Sequence, residues 1–182
     1  MIKVVIDGGP GTGKTSIIKE LQNKGYQVAP EAARIVLHRK KYRENPHLSK
    51  KDIKEIQQAI WDISINEYRS ALKTNKNHIL FFDRGLFSGI SYMILGHVHP
   101  TKEMLERAKL VLYDYVFIVH PLPKKLYVND SVRREDYNTS VNIQKQIINS
   151  YKKFGYKPII IPFGTVKQRT NFILKMIRKD LK

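Results

Sequence analysis

Ile2-Lys3-Val4-Val5-Ile6-Asp7 runs into Gly8-Gly9-Pro10-Gly11-Thr12-Gly13-Lys14-Thr15-Ser16, and this stretch decides the fold. The first six residues read as a strand, rich in β-branched side chains. The next eight fit the spacing GxxxxGK[ST], and helical periodicity follows from Thr12 to Asn23. A strand before and a helix after give that spacing its meaning. Glycines let the backbone curl until successive N–H groups face one anion. The helix start adds its positive end. Lys14 is placed to reach the β- and γ-phosphates, and the Thr15 hydroxyl suits Mg²⁺. The expected contacts with a nucleoside triphosphate are Gly8, Gly9, Pro10, Gly11, Thr12, Gly13, Lys14, Thr15 and Ser16.

The rest of the chain alternates strand and helix. Apolar runs at Tyr26–Ala29, His78–Asp83, Tyr115–Val119 and Lys157–Ile161 join Ile2–Asp7 as expected strands. Helical stretches are expected at Glu31 to about Lys40, Lys50–Lys73, Val141–Phe154 and Val166–Leu181. Ser49 is placed to cap the longest, and Gly155 to end the helix before it. Trp61 reads as a packing anchor. Ile- and Val-rich strands separated by helices indicate an α/β fold, a parallel sheet covered on both faces. Ligands then belong at the carboxyl ends of the strands.

Two of those ends carry acids. Asp83-Arg84 closes the run Ile79-Leu80-Phe81-Phe82. A carboxylate there can hold Mg²⁺, and Arg84 beside it can take a substrate or the γ-phosphate. Glu31 follows Pro30 at the end of the second strand. It reads equally as a base for a substrate hydroxyl or as an acid favoured by a helix N-terminus. Arg34, one turn on, suits an anionic or hydroxylated group. Asp7 reads as an alternative base or as a brace for the glycine loop.

Length and composition set the bounds. With 182 residues and 42 % hydrophobic side chains, one domain over 1–182 with a real core is expected. The chain has no cysteine, which excludes disulfides, thiolate metal sites and a thiol nucleophile. No run is long enough to span a bilayer, and Met1 leads straight into a strand, so a soluble cytoplasmic protein is expected. The formal charge is +17. Lys and Ile are high together (23 and 22, against 6 Ala), as an AT-rich coding sequence produces. No block of five or six basic residues occurs. Composition bias plus a small anionic substrate fits this better than a nucleic-acid surface, which stays open.

The segments GGPGTGKTS, VAPEAARIV, FFDRGLFSGISY, DSVRRED and IIIPFGTVKQR, in this order, resemble a P-loop kinase family. It is the group of ATPases and kinases, AAA-type 28, that includes the nicotinamide riboside kinase domain. More distantly the chain is similar to deoxynucleoside and thymidylate kinases. The resemblance implies a three-layer P-loop NTPase fold with sheet order 2-3-1-4-5. It implies Glu31 as catalytic base or substrate ligand, Asp83 in the Mg²⁺ shell, and Arg84 on phosphate or substrate. It further implies a LID, for which Asp130-Ser131-Val132-Arg133-Arg134-Glu135-Asp136 is the candidate. There Arg133 and Arg134 would stabilise charge on the transferred group. Phe163, Gly164 and Thr165, after the last strand, would meet the nucleotide base. The chain lacks an Asn-Lys-x-Asp guanine-reading motif, which favours ATP; GTP also fits. The Asp83-Arg84 pair differs from the riboside kinase branch, so that substrate does not carry over. The resulting expectation is an ATP- and Mg²⁺-dependent phosphotransferase acting on a small nucleoside-, nucleotide- or vitamin-like acceptor. The alternatives are a slowly hydrolysing nucleotide switch and a kinase of nucleic-acid 5′ ends.

Overall fold

Alternation of apolar residues along the strands builds two cores at once. In the computed structural model, which describes residues 1–37, 49–74, 77–121, 123–124 and 136–179, β1 (Ile2–Asp7) is the middle strand of five. Val4 and Ile6 point into one core and Val5 into the other. The strands β3 (Ile79–Asp83) and β4 (Tyr115–Val119) flank it and alternate in the same way. At the edges lie β2 (Gln27–Ala29) and β5 (Ile159–Ile161), three residues each. Every pairing is parallel and the order is β2-β3-β1-β4-β5. The expected order and class are therefore present.

One face of the sheet is covered by α1 (Lys14–Asn23) and the C-terminal helix α7 (Val166–Lys179). Ile17, Ile18 and Leu21 of α1 share a core with Ile173, Leu174 and Ile177 of α7. The other face carries α3 (Lys50–Thr74), α4 (Leu86–Leu95), α5 (Lys102–Ala108) and α6 (Tyr137–Lys153). Trp61, Ile65 and Tyr68 of α3 pack there with Phe87, Ile90, Ile147 and Tyr151. Trp61 is a packing anchor, as expected, and the buried face of α3 is centred on it rather than on Ile60 and Ile63. The short α2 (Ala32–Leu37) follows β2 and packs on α3.

Helix ends follow local chemistry. Ser49 and Asp52 exchange bonds, Asp52 N donating to Ser49 Oγ at 3.1 Å and Ser49 N to Asp52 Oδ2 at 2.9 Å. Gly155, at φ +83, ends α6 with Tyr156 N donating to the Tyr151 carbonyl at 3.1 Å. Helix α6 begins four residues before the expected Val141, because Asp136 caps it and accepts from Thr139 N at 2.7 Å. Asp136 thus serves a helix start. The other LID candidates, Asp130 to Glu135 with Arg133 and Arg134, lie outside the described residues. So does most of the Tyr42–Ser49 stretch before α3.

Candidate active site

Sheet order places the carboxyl ends of β1, β3 and β2 side by side, and with them Asp7, the glycine loop, Asp83, Arg84 and Glu31. The loop is held from outside. At Gly9 a Cβ would come within 2.7 Å of the Ser140 carbonyl on α6, so only glycine fits there. Ser140 Oγ donates to the Pro10 carbonyl at 2.6 Å, and Gly9 N donates to Gln144 Oε1 at 3.3 Å. Thr12 Oγ1 donates to the Gly9 carbonyl at 3.0 Å. Gly13 at φ +83 precedes α1, whose start has no side-chain cap. Its first-turn N–H groups are open to an anion.

Lys14 fills the loop in this structure. Its Nζ donates to the Gly8 carbonyl at 2.8 Å and the Gly9 carbonyl at 2.6 Å. Burial, then the Arg84 guanidinium, push its pKa down to about 7, against the attraction of Asp7, Glu31 and Asp83. Thr15 is half-buried and Ser16 exposed at the start of α1.

Asp7 is wholly buried and braces the loop. Its Oδ1 accepts from Gly8 N at 2.7 Å and Ser88 Oγ at 3.2 Å. Its Oδ2 accepts from Tyr151 hydroxyl at 2.7 Å and Gly85 N at 3.3 Å. Four donors and no exposure leave it unsuited to take a proton from a ligand. Of the two readings open for Asp7, the brace is the one its contacts fit.

Arg84 links the three strand ends. Its backbone N continues the sheet by donating to the Ile6 carbonyl at 3.1 Å, yet its φ is +67. A non-glycine residue held there costs on the order of 1–3 kcal/mol and points to function. The strained turn directs the guanidinium across the strand ends. Nε lies 2.6 Å from Glu31 Oε1, and Nη1 3.7 Å from Asp7 Oδ1. The guanidinium sits 5.6 Å from the centre of the Tyr92 ring. Burial opposes its charge, but Tyr92, Glu31, Asp7 and Asp83 hold it protonated.

Glu31 ends β2's extension, and its carbonyl starts α2 by accepting from Arg34 N at 3.2 Å. Its carboxylate does not cap that helix. It reaches Arg84, while Arg34 Nε stands 3.5 Å from its other oxygen and is itself largely exposed. Burial would raise the Glu31 carboxyl, but Arg84, Lys14 and Arg34 outweigh it and hold the group below the usual range. Asp83 is the opposite case. Burial and the Glu31 charge push it up to about 6, against Arg84, Lys14 and Arg34. Asp83, at the end of β3, and Thr15, in the first turn of α1, are the residues that could hold a divalent cation. No cluster of three metal-ligating side chains occurs among the described residues.

After β5, Phe163 is 56 % exposed. Thr165 accepts at Oγ1 from Gln168 N at 3.2 Å, and its own N donates to Gln168 Oε1 at 2.9 Å, a reciprocal cap for α7. The structure also places residues at the site that sequence reasoning did not assign: Ser88, Tyr92, Ser140, Gln144, Tyr151 and Arg169. Ser88 and Tyr92 lay in the singled-out segment FFDRGLFSGISY and Arg169 in IIIPFGTVKQR, though none was given a role. The rest are ordinary helix residues until the fold brings them to the loop.

Solved structures share this architecture. The deoxyadenosine kinase of M. mycoides, with dCMP and a flexible dCDP bound, matches with a TM-score of 0.71 at 18 % identity, over 98 % of this chain and 100 % of that one. The NadR protein in complex with NAD and AMP-PNP matches at 0.65 and 15 %, over 96 % of this chain and 48 % of that one. This chain thus spans about half of NadR. Thymidylate kinase of Candida albicans matches at 0.62 and 12 %, over 98 % of this chain and 92 % of that one. At these identities the likeness is one of fold. No curated protein matches the sequence significantly. The model of the AAA_28 family, described as an AAA domain, matches residues 3–169, from the first strand through the loop and the strand-end acids to Arg169, and the chain belongs to that family.

Proposed function

We propose that residues 1–182 form one P-loop kinase domain that moves the γ-phosphoryl group of ATP to a small nucleoside-, nucleotide- or vitamin-like acceptor. The observation that carries this reading is the Glu31–Arg84 pair, 2.6 Å apart, at the strand ends beside the Lys14 loop. The pair lies beside, not within, the loop that would hold the triphosphate's N–H contacts, where an acceptor rather than the nucleotide would meet it. A kinase needs such a carboxylate to orient an acceptor hydroxyl and take its proton.

The triphosphate lies along the N–H groups of Gly8 to Thr15. Lys14 turns from the loop carbonyls to the β- and γ-phosphates. Phe163 packs on the base, beside Gly164 and Thr165. The acceptor hydroxyl sits between Glu31 and Arg84, with Arg34 at the rim. Its oxygen forms a bond to the γ-phosphorus as the bond to the β–γ bridging oxygen breaks. Its proton passes to Glu31, and ADP leaves. Lys14 and Arg84 face the charge that spreads in the loose transition state. Mg²⁺, held by Thr15 and Asp83, would neutralise charge on the β- and γ-oxygens. Arg133 and Arg134 complete the proposed site as LID residues.

Support for a nucleoside-like acceptor comes from the likeness to deoxyadenosine kinase and thymidylate kinase, both named for such substrates. The test is MgATP turnover against a panel of nucleosides, nucleotides and vitamin precursors, with products read by mass. One panel member should gain a phosphoryl group, with ADP rising only in its presence. Glu31→Gln should keep MgATP binding and lose transfer by about 10²–10⁴-fold. Slow hydrolysis indifferent to every acceptor would make the protein a nucleotide switch instead.

A further inference from the structure

Arg169 is 8 % exposed, one turn into α7, and has no carboxylate partner among the described residues. Its Nη1 donates to the Thr12 carbonyl at 3.0 Å. Its Nε is buried with no hydrogen-bond partner. A Cβ at Gly13 would lie 3.1 Å from Nη1 and 3.3 Å from Nη2, so the guanidinium lies against that glycine. Burying a cation without an anion is costly, and the cost is relieved only when an anion arrives. The nearest place built for an anion is the cradle on the other side of this same peptide.

The Thr12–Gly13 peptide carries the effect. In a trans peptide the C=O and N–H point in opposite directions. With the Thr12 carbonyl fixed on Arg169, the Gly13 N–H is turned away from the helix, toward the cradle. It has no partner among the described residues. A cation on the carbonyl also polarises the peptide, which makes that N–H a stronger donor.

We propose that Arg169 is a positioning residue of the phosphate cradle: it fixes the Thr12–Gly13 peptide with its N–H inward and serves as a buried counter-charge for the polyphosphate. This rests on the reading that the loop binds a nucleoside triphosphate. It assigns to α7 a part in phosphate recognition, beyond that of base contact by the segment before it. The electrostatic share must grow with phosphate charge and be absent for a nucleoside.

The test is calorimetric binding of MgATP, MgADP, AMP, adenosine and inorganic tripolyphosphate to the unsubstituted protein, Arg169→Gln and Arg169→Lys, with thermal melting alongside. Arg169→Gln should weaken MgATP and tripolyphosphate by about tenfold, MgADP by less, and adenosine not at all. Arg169→Lys keeps the charge without the planar fork, so it should recover part of the loss and retain the salt dependence. An equal loss for adenosine and MgATP overturns the proposal, as does full affinity in Arg169→Gln. If Arg169→Gln does not fold, Arg169→Lys decides: a drop of about threefold for tripolyphosphate with adenosine unchanged supports the proposal, and no drop overturns it. Lys14→Ala separates the two readings. Tripolyphosphate binding that needs Lys14 but ignores Arg169 removes this proposal alone. No tripolyphosphate binding to the unsubstituted protein removes both.

Discussion

The two sides of the site are built differently. On the nucleotide side, loop carbonyls are bonded by Ser140, Lys14, Thr12 and Arg169, and Gly8 N by Asp7. Two of these residues, Ser140 and Arg169, come from helices on opposite faces of the sheet. On the proposed acceptor side, the frame is a three-residue edge strand, one turn with φ +67, and the like charges of Glu31 and Asp83 in the field of Arg84. On the first side the loop carbonyls are tied up before any ligand arrives, leaving N–H groups and the Arg169 cation for an anion, while on the second the Glu31 charge acts on Asp83 and is only partly offset by Arg84. A phosphate chain is the same in every nucleotide and rewards a rigid cradle. The proposed acceptor would have to be admitted, oriented and released, and some unspent repulsion suits that cycle.

Substitutions on each side test the contrast. Lys14→Ala carries the largest effect: ADP release should fall by about 10³-fold or more, as for loss of one charged group at a developing charge. Its melting temperature should hold or rise, because the group removed is a buried cation with a lowered pKa. A collapse in melting temperature would mean that Lys14 holds the empty loop together, and the nucleotide side would not be preformed. Next is Gly85→Ala, whose Cβ would collide with the Tyr151 hydroxyl and so pull apart the brace on Asp7. Urea unfolding should show a loss of about 3 kcal/mol. Adding Tyr151→Phe should return part of it; no return would place the strain elsewhere.

Asp83→Asn should act in the reverse sense. The folded protein holds this carboxyl up at about 6, above its unfolded value, so ionisation is penalised above pH 6 and the penalty fades as pH falls toward 4. The variant should gain about 1–2 kcal/mol at pH 7.5, lose that gain near pH 4, and lose turnover throughout. Equal stability at pH 7.5 would show that the acceptor side stores no repulsion at Asp83. The smallest effect is a proton count. Lys14 sits near 7 in the empty loop and should be charged on phosphate, so MgATP binding should take up a fraction of a proton at pH 7 and more at pH 8.5. Affinity should fall over that interval. Calorimetry in two buffers of different ionisation heat reads the uptake, and Lys14→Arg, which keeps its proton, should abolish it.

What could be read in the sequence follows from distance along the chain. The loop was legible because strand, glycines, Lys14 and helix fall within 22 residues, and local chemistry fixes each. Glu31, Asp83 and Arg84 were legible as strand-end residues, but their 2.6 Å pairing spans 53 positions and needed the sheet order. The role of Asp7 stayed open because its donors Gly85, Ser88 and Tyr151 lie 78 to 144 residues away. Helix α4 was missed for a physical reason. LFSGISYMIL has a glycine inside, no capping side chain, and six of ten residues buried, so no amphipathic stripe marks it.

The position of β1 has a consequence for how the protein is made. Its neighbours begin at Ile79 and Tyr115, and the side chains that tie the loop down are Ser140, Gln144, Tyr151 and Arg169. The loop can therefore be finished only after segments 130 to 157 residues further along the chain have docked on it. Long sequence separations of this kind slow folding. The loop is thus a late-forming part of the fold, although its own sequence is the most locally determined.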